Sequence, residues 1–194
     1  MDIIVRNDTV EISGYVNAVE RDSKPLWDRF GQFIERICKG AFRRAIDRSK
    51  DIHVLLNHDW DRDIGSTADG TLELSEDSIG LKARVVTDDP EIVEDARKGR
   101  LVGWSFGFED RDVEEGSYNG MRQRIVKDLD LFEVSILNDK KRPAYEGTLI
   151  NARDDEKPIY LSENLITEMN IREVKEETKI DYTKYQNMIA EMKA

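Results

Sequence analysis

Ser105 stands in Gly103-Trp104-Ser105-Phe106-Gly107-Phe108, a hydroxyl between two large apolar side chains with a glycine on either side. In a strand, the period of two puts Trp104, Phe106 and Phe108 on one face and Ser105 and Gly107 on the other. The first is a core face, so the second is left free of bulk around a serine. A serine hydroxyl is a weak nucleophile until an imidazole takes its proton, and a carboxylate that fixes the imidazole tautomer improves the pair. The chain has two histidines, His53 and His58. His58 ends the apolar run Ile52-His53-Val54-Leu55-Leu56-Asn57-His58, where a side chain can project past a sheet toward a second strand. His53 lies inside the run and reads as structural. For the acid, Glu133 stands out because Phe132 and Val134 flank it in a largely apolar strand, where an unpartnered carboxylate is costly to bury. Asp128 and Asp130 are nearby competitors. The plainer alternatives are a small residue at a tight strand crossing for Ser105, a turn histidine bonded to Asn57 or Asp59 for His58, and a charged surface position for Glu133.

Other chemistries fit less well. Gly103-x-Ser105-x-Gly107 matches the nucleophile elbow of the α/β hydrolases, but there the histidine follows the serine, and both histidines here precede it. Asp59-x-Asp61-x-Asp63 resembles the start of a calcium loop, yet Ile64 stands where glycine is needed and Gly70 where glutamate is needed. Two histidines with no cysteine pair give no zinc signature, and isolated glycines give no phosphate cradle. No metal or other cofactor is called for, because serine, imidazole and acid supply nucleophile and proton transfers together.

The elements that must position these groups are mostly strands. Residues 2–6 and 10–19 alternate apolar and polar positions around the turn signal Asn7-Asp8, predicting an opening hairpin. Phe30 to Ile37 predicts another strand, and Ala41 to Arg48 has helical spacing. Asp59 to Gly70 reads as a turn and short excursion. Leu72 to Val85 predicts a second hairpin broken at Gly80. Asp89-Pro90-Glu91 is a helix start and Gly99 its stop. Residues 104–113, Arg122 to Val126 and Leu131 to Leu137 are further strands. Many short strands, two helices and no strand-helix repeat predict a mainly β fold with peripheral helices, an antiparallel β barrel or closed sheet.

The 194 residues suffice for one domain with an appendage, and composition shifts near residue 150. Residues 1–150 are expected to form the functional domain. Residues 151–194 form a charged tail, partly helical around Leu161, Leu165, Met169, Met188, Ile189 and Met192. The net charge of -11, from 41 acidic and 30 basic residues, argues against nonspecific nucleic-acid binding. The basic run Lys39, Arg43, Arg44, Arg48 and Lys50 reads as a solvated face. A single cysteine, Cys38, excludes an intramolecular disulfide. The start at Met1-Asp2-Ile3-Ile4 shows no export signal or membrane span, so a soluble intracellular protein is expected.

Taken in order, several segments resemble the prohead, or procapsid maturation, proteases of tailed bacteriophages, whose fold is similar to the herpesvirus assemblins. They are Glu35 and Gly40-Ala41-Phe42; Leu55-Leu56-Asn57-His58-Asp59 with Ile64-Gly65; Gly80-Leu81; Gly103 to Phe108; and Leu131 to Ile136 leading to Pro143-Ala144-Tyr145. Lys39 departs from a proline often found before Gly-Ala-Phe, and no histidine follows Ser105 to serve as the assemblins' third group. The resemblance implies a serine endopeptidase with Ser105 as nucleophile, His58 as general base and Glu133 as orienting acid. It makes Arg142 the counterpart of an oxyanion-site arginine, with Lys140 and Lys141 as competitors. It also implies action in the host cytoplasm inside the assembling procapsid, on the major capsid protein or its scaffolding segment, with cleavage of the enzyme itself and a homodimer as further expectations. The competing function is a nonenzymatic capsid scaffold or assembly factor that keeps the protease-like fold.

Overall fold

The computed structural model describes residues 1–28, 30–140, 160–165 and 169–174. The opening hairpin forms as its alternation predicts, Asp2–Arg6 (β1) against Thr9–Ala18 (β2). Leu26–Asp28 (β3) and Gly31–Ile37 (β4) follow, then a helix at Ala41–Arg48 (α1). His53–Leu56 (β5) and Asp59–Ser66 (β6) form a second hairpin, and Leu72–Glu76 (β7) and Gly80–Thr87 (β8) a third. The helix Pro90–Arg97 (α2) begins where Asp89 accepts the Glu91 and Ile92 amides, both at 3.0 Å, and the chain leaves it through Gly99 in the left-handed region at φ 65°.

Two long strands then dominate, Leu101–Tyr118 (β9) and Met121–Asn138 (β10), joined by the left-handed pair Asn119-Gly120. Sequence pattern divided the second of these into two strands, since Lys127 and Asp128 interrupt its apolar alternation. It runs on because its outer edge is served in sections. β4 pairs with Arg122 to Val126 and β5 with Glu133 to Ile136, both parallel to β10. Between them α1 supplies side chains in place of a strand. Arg44 donates to the Lys127 carbonyl at 2.5 Å and Arg48 to the Leu129 carbonyl at 2.6 Å. Those arginines also meet Asp128, at 3.3 and 3.1 Å, so part of the basic run is seated on the sheet rather than simply solvated.

The expected closed antiparallel barrel does not form. Among the described residues the strands make two mixed sheets, one ordered Asn170–Glu173 (β12)-β1-β2-β8-β7 and one ordered Tyr160–Leu165 (β11)-β9-β10-β4-β3, with β5 against β10 and β6 against β5. The α1 crossover delivers β4 and β5 to the same edge of β10 in the same direction, which makes that sheet mixed. A single core lies between the sheets. Ile3, Val5, Ile12, Leu81 and Val85 from one meet Trp104, Phe106, Phe108, Val134 and Ile136 from the other. Gly14 allows the close approach, since a Cβ there would stand 3.1 Å from the Trp104 indole nitrogen.

The two tail strands are Tyr160–Leu165 (β11), antiparallel to β9, and Asn170–Glu173 (β12), parallel to β1. Leu161 and Leu165 were expected in helix. Extended pairing satisfies their main chain on the available edge of β9 instead, and Met169 packs against the core before β12. Arg142, Lys141, the Pro143-Ala144-Tyr145 segment, Met188, Ile189 and Met192 lie outside the described residues.

Candidate active site

The period of two in β9 and an irregularity in β10 bring the chemistry to one face. Ser105 and Ser135 are Cα partners across the two strands, as are Gly107 and Glu133. Register shifts between Leu131 and Glu133, so Phe132 is an extra residue opposite β9. Without that shift, in a regular strand, Glu133 would continue the core phase of Leu129 and Leu131. With it Val134 and Ile136 take over the core, and Glu133 and Ser135 turn to the face of Ser105. Gly107 puts no side chain opposite Glu133.

His58 arrives from a turn, not from the strand end that the apolar run suggested. Leu56 pairs with Asp59, and the two residues between them, Asn57 and His58, have φ of 58° and 60°. Left-handed backbone is unfavourable for most side chains but less so for Asn and His. It is held here by three contacts. The Asn57 amide donates to the Ile136 carbonyl at 2.9 Å, and the His58 amide donates to Ser135 Oγ at 3.0 Å. The Asn57 side chain exchanges bonds with Asn138, donating to Oδ1 at 2.8 Å and accepting from its main-chain amide at 3.0 Å. Asn138 passes the chain on to Asp95 of α2 at 2.7 Å, and Arg100 Nε donates to Asp95 at 2.8 Å. Asp95 and Asn138 have no exposed surface, so the turn is anchored through a buried polar network.

The imidazole then lies between the other two groups. His58 Nδ1 is 2.8 Å from Glu133 Oε1, and Nε2 is 2.7 Å from Ser105 Oγ. A carboxylate can only accept, so the ring proton sits on Nδ1, and Nε2 is left to accept the Ser105 hydroxyl. Ser135 donates to the second carboxylate oxygen, Oε2, at 2.5 Å. Both oxygens of Glu133 therefore have a donor, which answers the burial of a side chain only 4% exposed. Ser105 and Ser135 are fully buried. The arrangement can draw the Ser105 proton onto the imidazole, with Glu133 placed to stabilise the imidazolium.

The remaining candidates fall elsewhere. His53 pairs with Asp63 at 2.8 Å, near Trp60. Asp128 and Asp130 meet Arg44, Arg48 and Arg111 on the surface. Asp59, Asp61 and Asp63 are spread along β6. Lys140 Nζ reaches Glu91 at 2.5 Å. Glu35 is buried against Arg124 at 2.9 Å, and burial pushes its carboxyl up to about 7, with Arg124 opposing the rise and Asp110 and Glu115 adding to it. Ser135, Asn57, Asn138 and Asp95 are the site residues that sequence pattern missed. The one signal for them was Asn57 beside His58, an asparagine suited to left-handed backbone.

A buried serine, histidine and glutamate thus stand in hydrogen-bonded series on a mainly β scaffold, an order of groups able to support nucleophilic serine chemistry. Residues 2–159 match the family model described as caudovirus prohead serine protease, and the chain belongs to that family. That membership supports a serine peptidase role in phage prohead maturation. No curated protein and no solved structure matches the chain, so the likeness to the assemblin fold stands as an expectation.

Proposed function

We propose that the protein is a serine endopeptidase that cuts the scaffolding segment of the major capsid protein inside the assembling procapsid. The observation that carries this reading is His58, with Nε2 at 2.7 Å from the Ser105 hydroxyl and Nδ1 at 2.8 Å from Glu133. As Ser105 Oγ attacks a peptide carbonyl carbon, its proton passes to Nε2, and the imidazolium is stabilised by Glu133. The imidazolium then protonates the leaving amine as the C–N bond breaks, leaving an acyl ester on Ser105. Water, activated by the same nitrogen, hydrolyses the ester and restores the hydroxyl. Hydrogen-bond donors must face the developing oxyanion, and Arg142 is proposed for that neighbourhood from the family resemblance.

The test is cleavage of the capsid protein by the wild type, Ser105→Ala and His58→Ala, each checked for fold by circular dichroism. The wild type is expected to cut, and each variant to lose roughly 10⁴-fold or more in rate. Equal cutting by all three would refute the assignment. Self-processing and a homodimer belong to the same proposal. Self-processing predicts that the wild type loses mass on incubation while Ser105→Ala stays full length, and it is rejected if both keep their full mass.

A further inference from the structure

A peptide substrate must present its scissile carbonyl in extended form beside Ser105, and extended peptides gain affinity by pairing their main chain with an exposed strand edge. The strand carrying Ser105 has two edges. One is occupied by β10, where Ser135 is the Cα partner of Ser105. The other is occupied by the chain's own β11, antiparallel and in register from Tyr160 opposite Phe108 to Leu165 opposite Gly103, with Glu163 opposite Ser105. No main-chain edge beside the hydroxyl is therefore open, and Ser105 itself has no exposed surface.

Two further observations mark β11 as an occupant rather than a part of the working unit. The family match ends at residue 159, immediately before β11. Beyond it, β12 clips the tail to the other sheet. Asn170 donates to the Met1 carbonyl at 3.1 Å and Val174 to the Val5 carbonyl at 2.9 Å. A strand tethered at both ends competes at high effective concentration without needing tight pairing of its own.

We propose that Tyr160–Leu165 is a pseudosubstrate strand, holding the β9 edge until a capsid segment displaces it. The proposal rests on the endopeptidase reading. Its partner is an extended peptide read chiefly through main-chain hydrogen bonds, and its effect is to hold the protease back while the shell is incomplete.

The experiment compares three full-length forms: wild type, the pair Ser162→Pro and Glu163→Pro, and the pair Ser162→Ala and Glu163→Ala. Neighbouring residues of an edge strand point their amides to opposite sides, so the proline pair removes at least one donor facing β9 whatever the phase. The alanine pair keeps every amide. Each form is assayed with an internally quenched peptide from the capsid cleavage region, and Ser105 is separately labelled with a small fluorophosphonate, which needs no strand pairing. The proline pair is expected to lower KM about 2- to 10-fold, the equilibrium worth of one net main-chain bond, with kcat unchanged. The alanine pair is expected to behave as wild type. Equal KM in all three forms, or the same gain from the alanine pair, overturns the pseudosubstrate proposal while leaving the endopeptidase reading in place. Failure of the fluorophosphonate to label Ser105 in every folded form overturns the endopeptidase reading, and this proposal with it.

Discussion

Ser135 holds the site together through one oxygen, donating to Glu133 Oε2 at 2.5 Å and accepting the His58 amide at 3.0 Å. Ser135→Ala is expected to lower kcat by about 10- to 100-fold, the worth of a hydrogen bond to a charged group, with KM within about two-fold of wild type. Ser135→Thr should recover most of the loss, since it restores the hydroxyl. An unchanged kcat for Ser135→Ala would show that the imidazole is fixed without it. Glu133→Gln keeps the shape but offers an amide where the His58 ring needs an acceptor, and should lower kcat by about 10⁴-fold at unchanged KM. Circular dichroism of each variant separates both effects from a loss of fold, which would also lower the apparent kcat at unchanged KM. At this scale the three central groups were legible, because a serine among aromatics, a histidine ending an apolar run and an acid inside an apolar strand each break a pattern. Ser135 breaks none. Its partners are a main-chain amide and a carboxylate two residues away, and neither leaves a trace in composition.

The turn that carries His58 depends on the network running from Asn57 through Asn138 to Asp95. Asn138→Ala would remove the side-chain bonds to Asn57 Nδ2 and Asp95 Oδ2 in a buried setting. It is expected to destabilise the fold by about 1–3 kcal/mol in chemical denaturation and to lower kcat as well. Unchanged stability would mean that water replaces the asparagine. Both helices were legible to their ends, one from its 3.6-residue spacing and the other from Asp89-Pro90 and Gly99. β6 lies where the sequence reads as a turn and short excursion, because it is a mostly exposed strand rich in aspartate with no alternation to betray it. β10 was read as two strands because its charged middle is completed by Arg44 and Arg48 from a helix some 80 residues earlier in the chain. The barrel expectation failed for a related reason. Alternation tells which face of a strand is buried, but the parallel placement of β4 and β5 follows from the α1 crossover.

For the whole molecule, the buried Glu35 should leave a mark on stability. Its carboxyl is raised from an ordinary 4.5 to about 7, so the folded chain keeps a proton that the unfolded chain has released. Stability from this group is fully present below pH 4.5 and is lost as pH rises through 7, by on the order of 3 kcal/mol in total. Glu35→Gln should flatten the decline between pH 5 and 8 in thermal or denaturant unfolding. An identical slope in the variant would place the titration elsewhere. Beyond stability, the molecule amounts to two sheets on one core, with the reacting groups on a face made by β9, β10 and the turn after β5. The measurement that bears most directly on it is peptide mapping after reaction with a fluorophosphonate, using wild type, Ser105→Ala and His58→Ala. A single adduct on Ser105 in the wild type, none in Ser105→Ala and a strongly slowed reaction in His58→Ala is the predicted result. Wild type that stays folded and unmodified, or that carries its adduct on another residue, would contradict the account.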